Sequence, residues 1–127
     1  NIIDSLKIKN LDWILSYQSR VGPLKWIGPS TENVIIENSK LGKKIVLVPI
    51  AFVSEHSETL VELDIEYKKL AQENGCKEYI RIPALTCHSD FINSLKKVII
   101  KAGKNEKYTS SLICPKSFKK CPRIMNK

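Results

Sequence analysis

The sequence has no glycine-rich phosphate cradle. Neither G-x-G-x-x-G nor the P-loop pattern occurs, which removes the usual backbone sites for nucleotides. No Ser/His/Asp set sits on a nucleophile elbow, so a serine acyl-transfer centre is not indicated. No C-x-x-C pair is present, which argues against a structural zinc site. No apolar run approaches the ~20 residues of a membrane-spanning helix. No signal segment is visible, but the first residue is Asn1 rather than Met, so that absence carries no weight. One further absence is local: no lysine or arginine lies between Lys44 and Lys68.

That cation-free stretch contains P-I-A-F-V-S-E-H-S-E-T-L-V-E-L-D-I-E-Y, residues 49–67. It leaves an apolar run, crosses a short polar turn and enters a predicted α-helix. Glu58, Glu62 and Glu66 recur at i, i+4 and i+8, which places them on one helical face. On an α-helix they would stand about 6 and 12 Å apart along the axis. Like charges at that spacing destabilise a helix by ~0.2–0.5 kcal/mol per pair. A solvated acidic face is the plain alternative, and the helix dipole would account for Glu55 and Glu58. The dipole does not reach Glu66. Leu60, Leu63, Tyr67, Leu70 and Ala71 form the expected core stripe, while Val61 and Ile65 fall on the opposite side. A helix of that kind is expected to be covered on both sides. His56, at the helix entrance beside Glu58, suits either a structural role or the handling of metal and protons.

The chain of 127 residues suits one core, and its composition is that of a globular protein. The net charge of +8 is unevenly spread: from Lys96 onward ten basic residues face one acid, Glu106. Such a tail reads as a solvated terminus, and its charge suits either an anionic lipid surface or nucleic acid. Four cysteines in a chain of this core size favour a reducing compartment, with Cys76 and Cys87 as buried or half-buried thiols.

In order, residues 1–9 read as the end of a helix, and residues 11–16 (L-D-W-I-L-S) as a strand. Residues 17–29 form a loop punctuated by Gly-Pro. Ser30 or Thr31 caps a helix that ends at Gly42. Residues 45–50 (I-V-L-V-P-I) resemble a strand buried on both faces of a parallel sheet. The acidic helix follows and closes at Asn74-Gly75, before a third strand over residues 79–85. Ser89 or Asp90 caps a last helix that stops at Gly103. This alternation predicts an α/β fold, a three-layer α-β-α arrangement around a parallel sheet, with ligands at the carboxyl ends of its strands. A lobe over residues 1–103 and a basic tail over 104–127 are expected.

Two stretches then carry a resemblance. Q-S-R-V-G-P-L-K-W-I-G-P-S-T (residues 18–31) and V-P-I-A-F-V-S-E-H-S-E-T-L-V-E-L-D-I-E-Y (residues 48–67) resemble the signature segments of the C-terminal half of ferrochelatases. The similarity continues in order through I-P-A-L (residues 82–85) and Phe91-Ile92. It implies a chelatase-like lobe of a two-lobed enzyme of haem biosynthesis, a lyase that inserts ferrous iron, its substrate, into protoporphyrin IX. By the same resemblance Glu58 and His56 are catalytic, and they form the metal-handling set with Glu62 and Glu66. Trp26 and the turn Ser19, Arg20, Val21, Gly22 and Pro23 would border the porphyrin cleft. The N-terminal lobe, with the family's other key histidine, is an expected partner; His88 does not match that histidine. Some members bind a [2Fe–2S] cluster through C-terminal cysteines, but Cys114 and Cys121 alone cannot supply four ligands. The expected location is the cytoplasm, peripheral to the inner membrane through the tail, and no nucleic-acid partner is expected. An isolated lobe that binds metal or porphyrin without turnover is the alternative.

Overall fold

Apolar strands alternating with capped helices produce the observed order. A computed structural model describes residues 2–19, 22, 23 and 25–104. The elements are α1 (Ile2–Leu6), α2 (Thr31–Lys40), β1 (Lys44–Leu47), a π-helix (Glu58–Glu66), α3 (Tyr67–Glu73), β2 (Glu78–Arg81) and α4 (Ser89–Gly103). The chain divides into two compact units, Asn1–Thr86 and Cys87–Lys127. No described helix is long and apolar enough to cross a membrane.

In the first unit β1 and β2 pair in parallel, with Lys44 opposite Glu78 and Leu47 opposite Arg81. The parallel pairing follows from the helical crossover between the two strands, as the alternation predicts. Ile45, Leu47, Tyr79 and Arg81 occupy the half-buried face of this ladder, and Val46 and Ile80 the other. Helices α2 and α3 pack on each other, α2 against β1 and α3 against β2. The core is Ile35, Leu63, Ala71 and Ala84. Burying one such leucine or isoleucine stabilises by ~1.5–3 kcal/mol. Ser30 caps α2 as expected, its hydroxyl accepting the Asn33 N–H at 3.3 Å. Gly42 and Gly75 follow the ends of α2 and α3 in left-handed conformations (φ 66° and 89°) that a Cβ would strain.

Four expectations are corrected. Residues 11–16 form no strand; the bridge nearest to them joins the next residue, Tyr17, to Ser30. A strand needs a ladder partner, and none lies beside this segment among the described residues. Trp13, Ile14 and Leu15 are exposed. The expected three-strand sheet is thus two-stranded here. Second, β1 is not covered on both faces within this unit, since Val46 is 59% exposed. Third, the acidic segment begins as a π-helix, not an α-helix, and the core stripe moves with it. Leu63 is 1% exposed, but Leu60 is 48% exposed, because the wider turn rotates it off the core side. Fourth, Cys87, in the turn that precedes α4, is exposed, whereas Cys76 is half-buried as expected.

The second unit contributes α4, capped by His88 rather than by Ser89 or Asp90. The His88 Nδ1 accepts the Asp90 N–H at 3.3 Å, a position that an unprotonated ring nitrogen fills as a capping oxygen would. Residues 105–127, with Cys114 and Cys121, lie outside the described residues, as does nearly all of the expected 104–127 tail.

Candidate active site

The loop over residues 17–29 is closed at its neck by two backbone bonds, Tyr17 N–H to Pro29 O at 2.9 Å and Thr31 N–H to Tyr17 O at 3.1 Å. Inside it, the Trp26 indole N–H donates to Gln18 O at 3.1 Å. Ser19 adopts a left-handed conformation (φ 60°), which costs a residue with a Cβ about 1–2 kcal/mol. Its hydroxyl donates to Glu58 Oε1. That bond joins the two stretches singled out in the sequence, 39 positions apart. Gly22, Pro23 and Trp26 are exposed in the same loop. Arg20 and Val21, expected in the same border, lie outside the described residues.

The segment from Phe52 to Glu58 leaves the sheet beyond β1 and turns into the π-helix. Phe52 meets the His56 ring edge-on, with centroids 4.9 Å apart and planes at 69°. His56 Nδ1 accepts the Glu58 N–H at 3.2 Å, so the neutral ring carries its proton on Nε2. Buried Thr59 closes the same turn: its hydroxyl accepts the His56 N–H at 3.0 Å and shares its one hydrogen between the His56 carbonyl, 3.0 Å away, and the Glu55 carboxylate.

The π-helix changes the acidic column. Its i→i+5 bonds, such as Tyr67 N–H to Glu62 O, widen each turn beyond four residues. Four-residue steps then fall short of a full turn instead of overshooting it, so Glu58, Glu62 and Glu66 still share a broad face. They sit closer along the axis than the α-helical spacing gives. The same geometry brings residues five apart together: the Tyr67 hydroxyl donates to Glu62 Oε1 at 3.2 Å. Burial, then the Glu62 charge, raises the Tyr67 phenol well above its usual range, so it stays a proton donor. Glu66 is exposed. Tyr67, Glu62 and Glu66 line a shallow pocket of about 370 Å³ with Glu32 and Glu73. Among the described residues no three His, Cys, Asp or Glu side chains converge as a metal cage. His56, Glu58 and Ser19 are brought together, whereas Glu62 and Glu66 continue away along the helix.

A group the sequence reading missed lies beside this turn. Arg81, at the end of β2 and with a side chain 7% exposed, donates from Nε to Asp64 Oδ1 at 2.7 Å and from Nη2 to Asp64 Oδ2. Its Nη1 donates to Glu55 Oε1 at 2.6 Å, an oxygen that also accepts the Ala84 N–H at 2.8 Å. Glu55 is therefore an ion-pair partner and not a dipole cap. The Thr59 hydroxyl, Arg81 and the Ala84 N–H hold its carboxyl down from 4.5 to about 2. Arg81 also lowers Asp64. The available signal was an arginine alternating with tyrosine in the short strand E-Y-I-R, where a buried cation demands an acid.

Both folded-state values lie below the unfolded ones, so these carboxylates stabilise the fold above about pH 4.5 and cease to as pH falls toward 2. Thermal melts should show a midpoint that drops through that window. Arg81→Gln should reduce this drop, leaving the part of the Glu55 shift that Thr59 and the Ala84 N–H hold. It should also lower the melting midpoint near pH 7, because two acids lose their partner. An acid transition identical in Arg81→Gln would show that the pairing does not contribute.

The sequence model of the ferrochelatase family matches residues 1–103. The chain belongs to the ferrochelatase family. It is 67% identical to the ferrochelatase of Pelagibacter ubique (strain HTCC1062) over 95% of this chain and 36% of that protein. It is 50% identical to the ferrochelatase of Rickettsia conorii and 51% to that of Rickettsia typhi, each over 94% of this chain and 36% of the relative. The chain thus spans about a third of the length of the curated ferrochelatases it matches. A [2Fe–2S] cluster needs four protein ligands. Of the described cysteines, Cys76 shares its one thiol hydrogen between the Lys43 and Glu78 carbonyls, each 3.2 Å away, and Cys87 is exposed.

Proposed function

We propose that this chain supplies the proton-accepting half of a site that inserts ferrous iron into protoporphyrin IX. The observation that carries the reading is the Ser19–Glu58 bond, which sets the loop with Trp26 against the head of the acidic helix. Insertion replaces two pyrrole N–H bonds with iron–nitrogen bonds and releases two protons, so acceptors must stand beside the macrocycle. Glu58 takes a proton from the pyrrole, with the Ser19 hydroxyl orienting its carboxylate. His56 holds the turn through Nδ1 and presents its Nε2 side to the same region. Glu62 and Glu66 carry protons or a hydrated cation away along the helix, and the Tyr67 hydroxyl steadies Glu62. The flat, apolar porphyrin needs apolar walls. Trp26 borders one side, and the rest of the relatives' length would supply the N-terminal lobe and complete the cleft. The finer architecture we propose is three-layered, a further layer covering Val46 and Ile80 in the complete protein.

The test is an anaerobic assay of the full-length protein with ferrous iron and protoporphyrin IX, following haem absorbance and released protons. Glu62→Gln and Glu66→Gln should slow turnover about tenfold with little change in porphyrin affinity. Neutralising one carboxylate should also leave the helix as stable or firmer by ~0.2–0.5 kcal/mol. Porphyrin binding with no haem formed would favour a binding lobe without turnover. Variants that are destabilised yet kinetically normal would make the acidic column structural.

A further inference from the structure

We propose that Arg81 is a positioning residue for this reaction: its guanidinium ties together the two ends of the segment that carries His56, Glu58 and Glu62. The inference rests on the metal-insertion reading of Glu58. Glu55 immediately precedes His56, and Asp64 lies within the π-helix between Glu62 and Glu66. One planar fork reaches both: two N–H groups go to Asp64 and a third to Glu55. Its remaining contact is Nη1 to the Ile82 carbonyl at 3.5 Å.

The clamp consumes none of the groups assigned to the chemistry. Glu58 is held by Ser19, Glu62 by Tyr67, and His56 by its own turn. Tyr79, two residues before Arg81 on the same face of β2, adds a second pin. Its hydroxyl donates at 2.8 Å to the carbonyl of Leu63, the neighbour of Asp64. Strand β2 therefore grips consecutive residues of the π-helix while Arg81 reaches back to the entrance loop. A wide helical turn is intrinsically rare, and those found are concentrated at functional sites. Here a side-chain fork from the neighbouring strand braces the turn. Lysine could not replace it, because a single ammonium on a flexible stem cannot satisfy two carboxylates in one plane. A misplacement of about 1 Å at a reacting group can cost on the order of 100-fold in rate.

The experiment uses the full-length protein carrying Arg81→Lys or Asp64→Asn, with Glu58→Gln beside them. Turnover per folded molecule, KM for porphyrin and amide hydrogen exchange across residues 58–66 are measured. Arg81→Lys should fold, lose about 10- to 100-fold in kcat, hold its porphyrin KM within about twofold, and exchange faster across the π-helix. Asp64→Asn, nearly isosteric, should show the same split and decides the matter if Arg81→Lys does not fold. Wild-type kcat per folded molecule in the variant that folds overturns the proposal. So does a kcat loss with unchanged exchange in residues 58–66. If Glu58→Gln retains full turnover, the metal-insertion reading fails, and the positioning role with it. If Glu58→Gln is dead while Arg81→Lys and Asp64→Asn are normal, only the positioning role fails.

Discussion

Glu58→Gln in the full-length protein is expected to abolish iron insertion while porphyrin still binds. The amide keeps the size of the carboxylate, and its oxygen can still accept the Ser19 hydroxyl, so the loop and the π-helix stay joined. The turn itself is closed by the Thr59 hydroxyl and the His56 ring acting on backbone groups, not by the Glu58 side chain. What the amide loses is the capacity to take a proton. Removing a general base in place costs about 10²–10⁴-fold. Loss confined to kcat identifies an interaction used only in the reaction, whereas a raised KM with normal kcat would mark Glu58 as a porphyrin contact. The measurement is single-turnover haem formation beside porphyrin fluorescence quenching. Wild-type turnover in the variant removes Glu58 from the chemistry.

The elements held together by local signals were legible in the sequence. Ser30 caps α2, Asn74-Gly75 closes the acidic helix, and the β-branched run at Ile45 forms a parallel strand. The two helix ends depend on residues within a few positions of themselves; the strand is marked by its own apolar run but pairs with Glu78–Arg81, far along the chain. The π-turn was not legible, because Glu58, Glu62 and Glu66 share a face at either helical pitch. What accompanies the wider pitch comes from Tyr79 and Arg81, 16 and 17 positions beyond their partners. A longer separation, 26 positions from Arg81, hid Glu55, whose charge the helix dipole would account for. Residues 11–16 have the composition of a strand, but a ladder takes two members. Of the site, His56 and Glu58 stood out by type and spacing, their catalytic roles were implied only by the resemblance, and the Ser19 bond to Glu58 lay beyond both. The Arg81 clamp lay outside the reading, since β2 was judged by its apolar residues.

His56→Ala is expected to lower iron insertion about 100-fold while costing only about 1 kcal/mol of stability. The ring sits half-buried at a helix entrance, against the edge of Phe52, and not in the core. Its structural duty is one bond, Nδ1 accepting the Glu58 N–H at 3.2 Å. With that nitrogen occupied, the chemistry falls to the Nε2 side, which in the neutral ring is a donor and in proton transfer must exchange with solvent or substrate. Alanine removes both duties, so alanine alone cannot separate them. Asparagine can: its side-chain oxygen accepts backbone N–H groups at helix starts as well as any residue does, yet it does not titrate. His56→Asn should therefore recover the melting temperature and leave turnover depressed. It should also alter the pH–rate profile, which a cap alone would not move. If His56→Asn restores both stability and kcat, His56 is only a cap on the π-helix, and Glu58 accepts its proton without help from the imidazole.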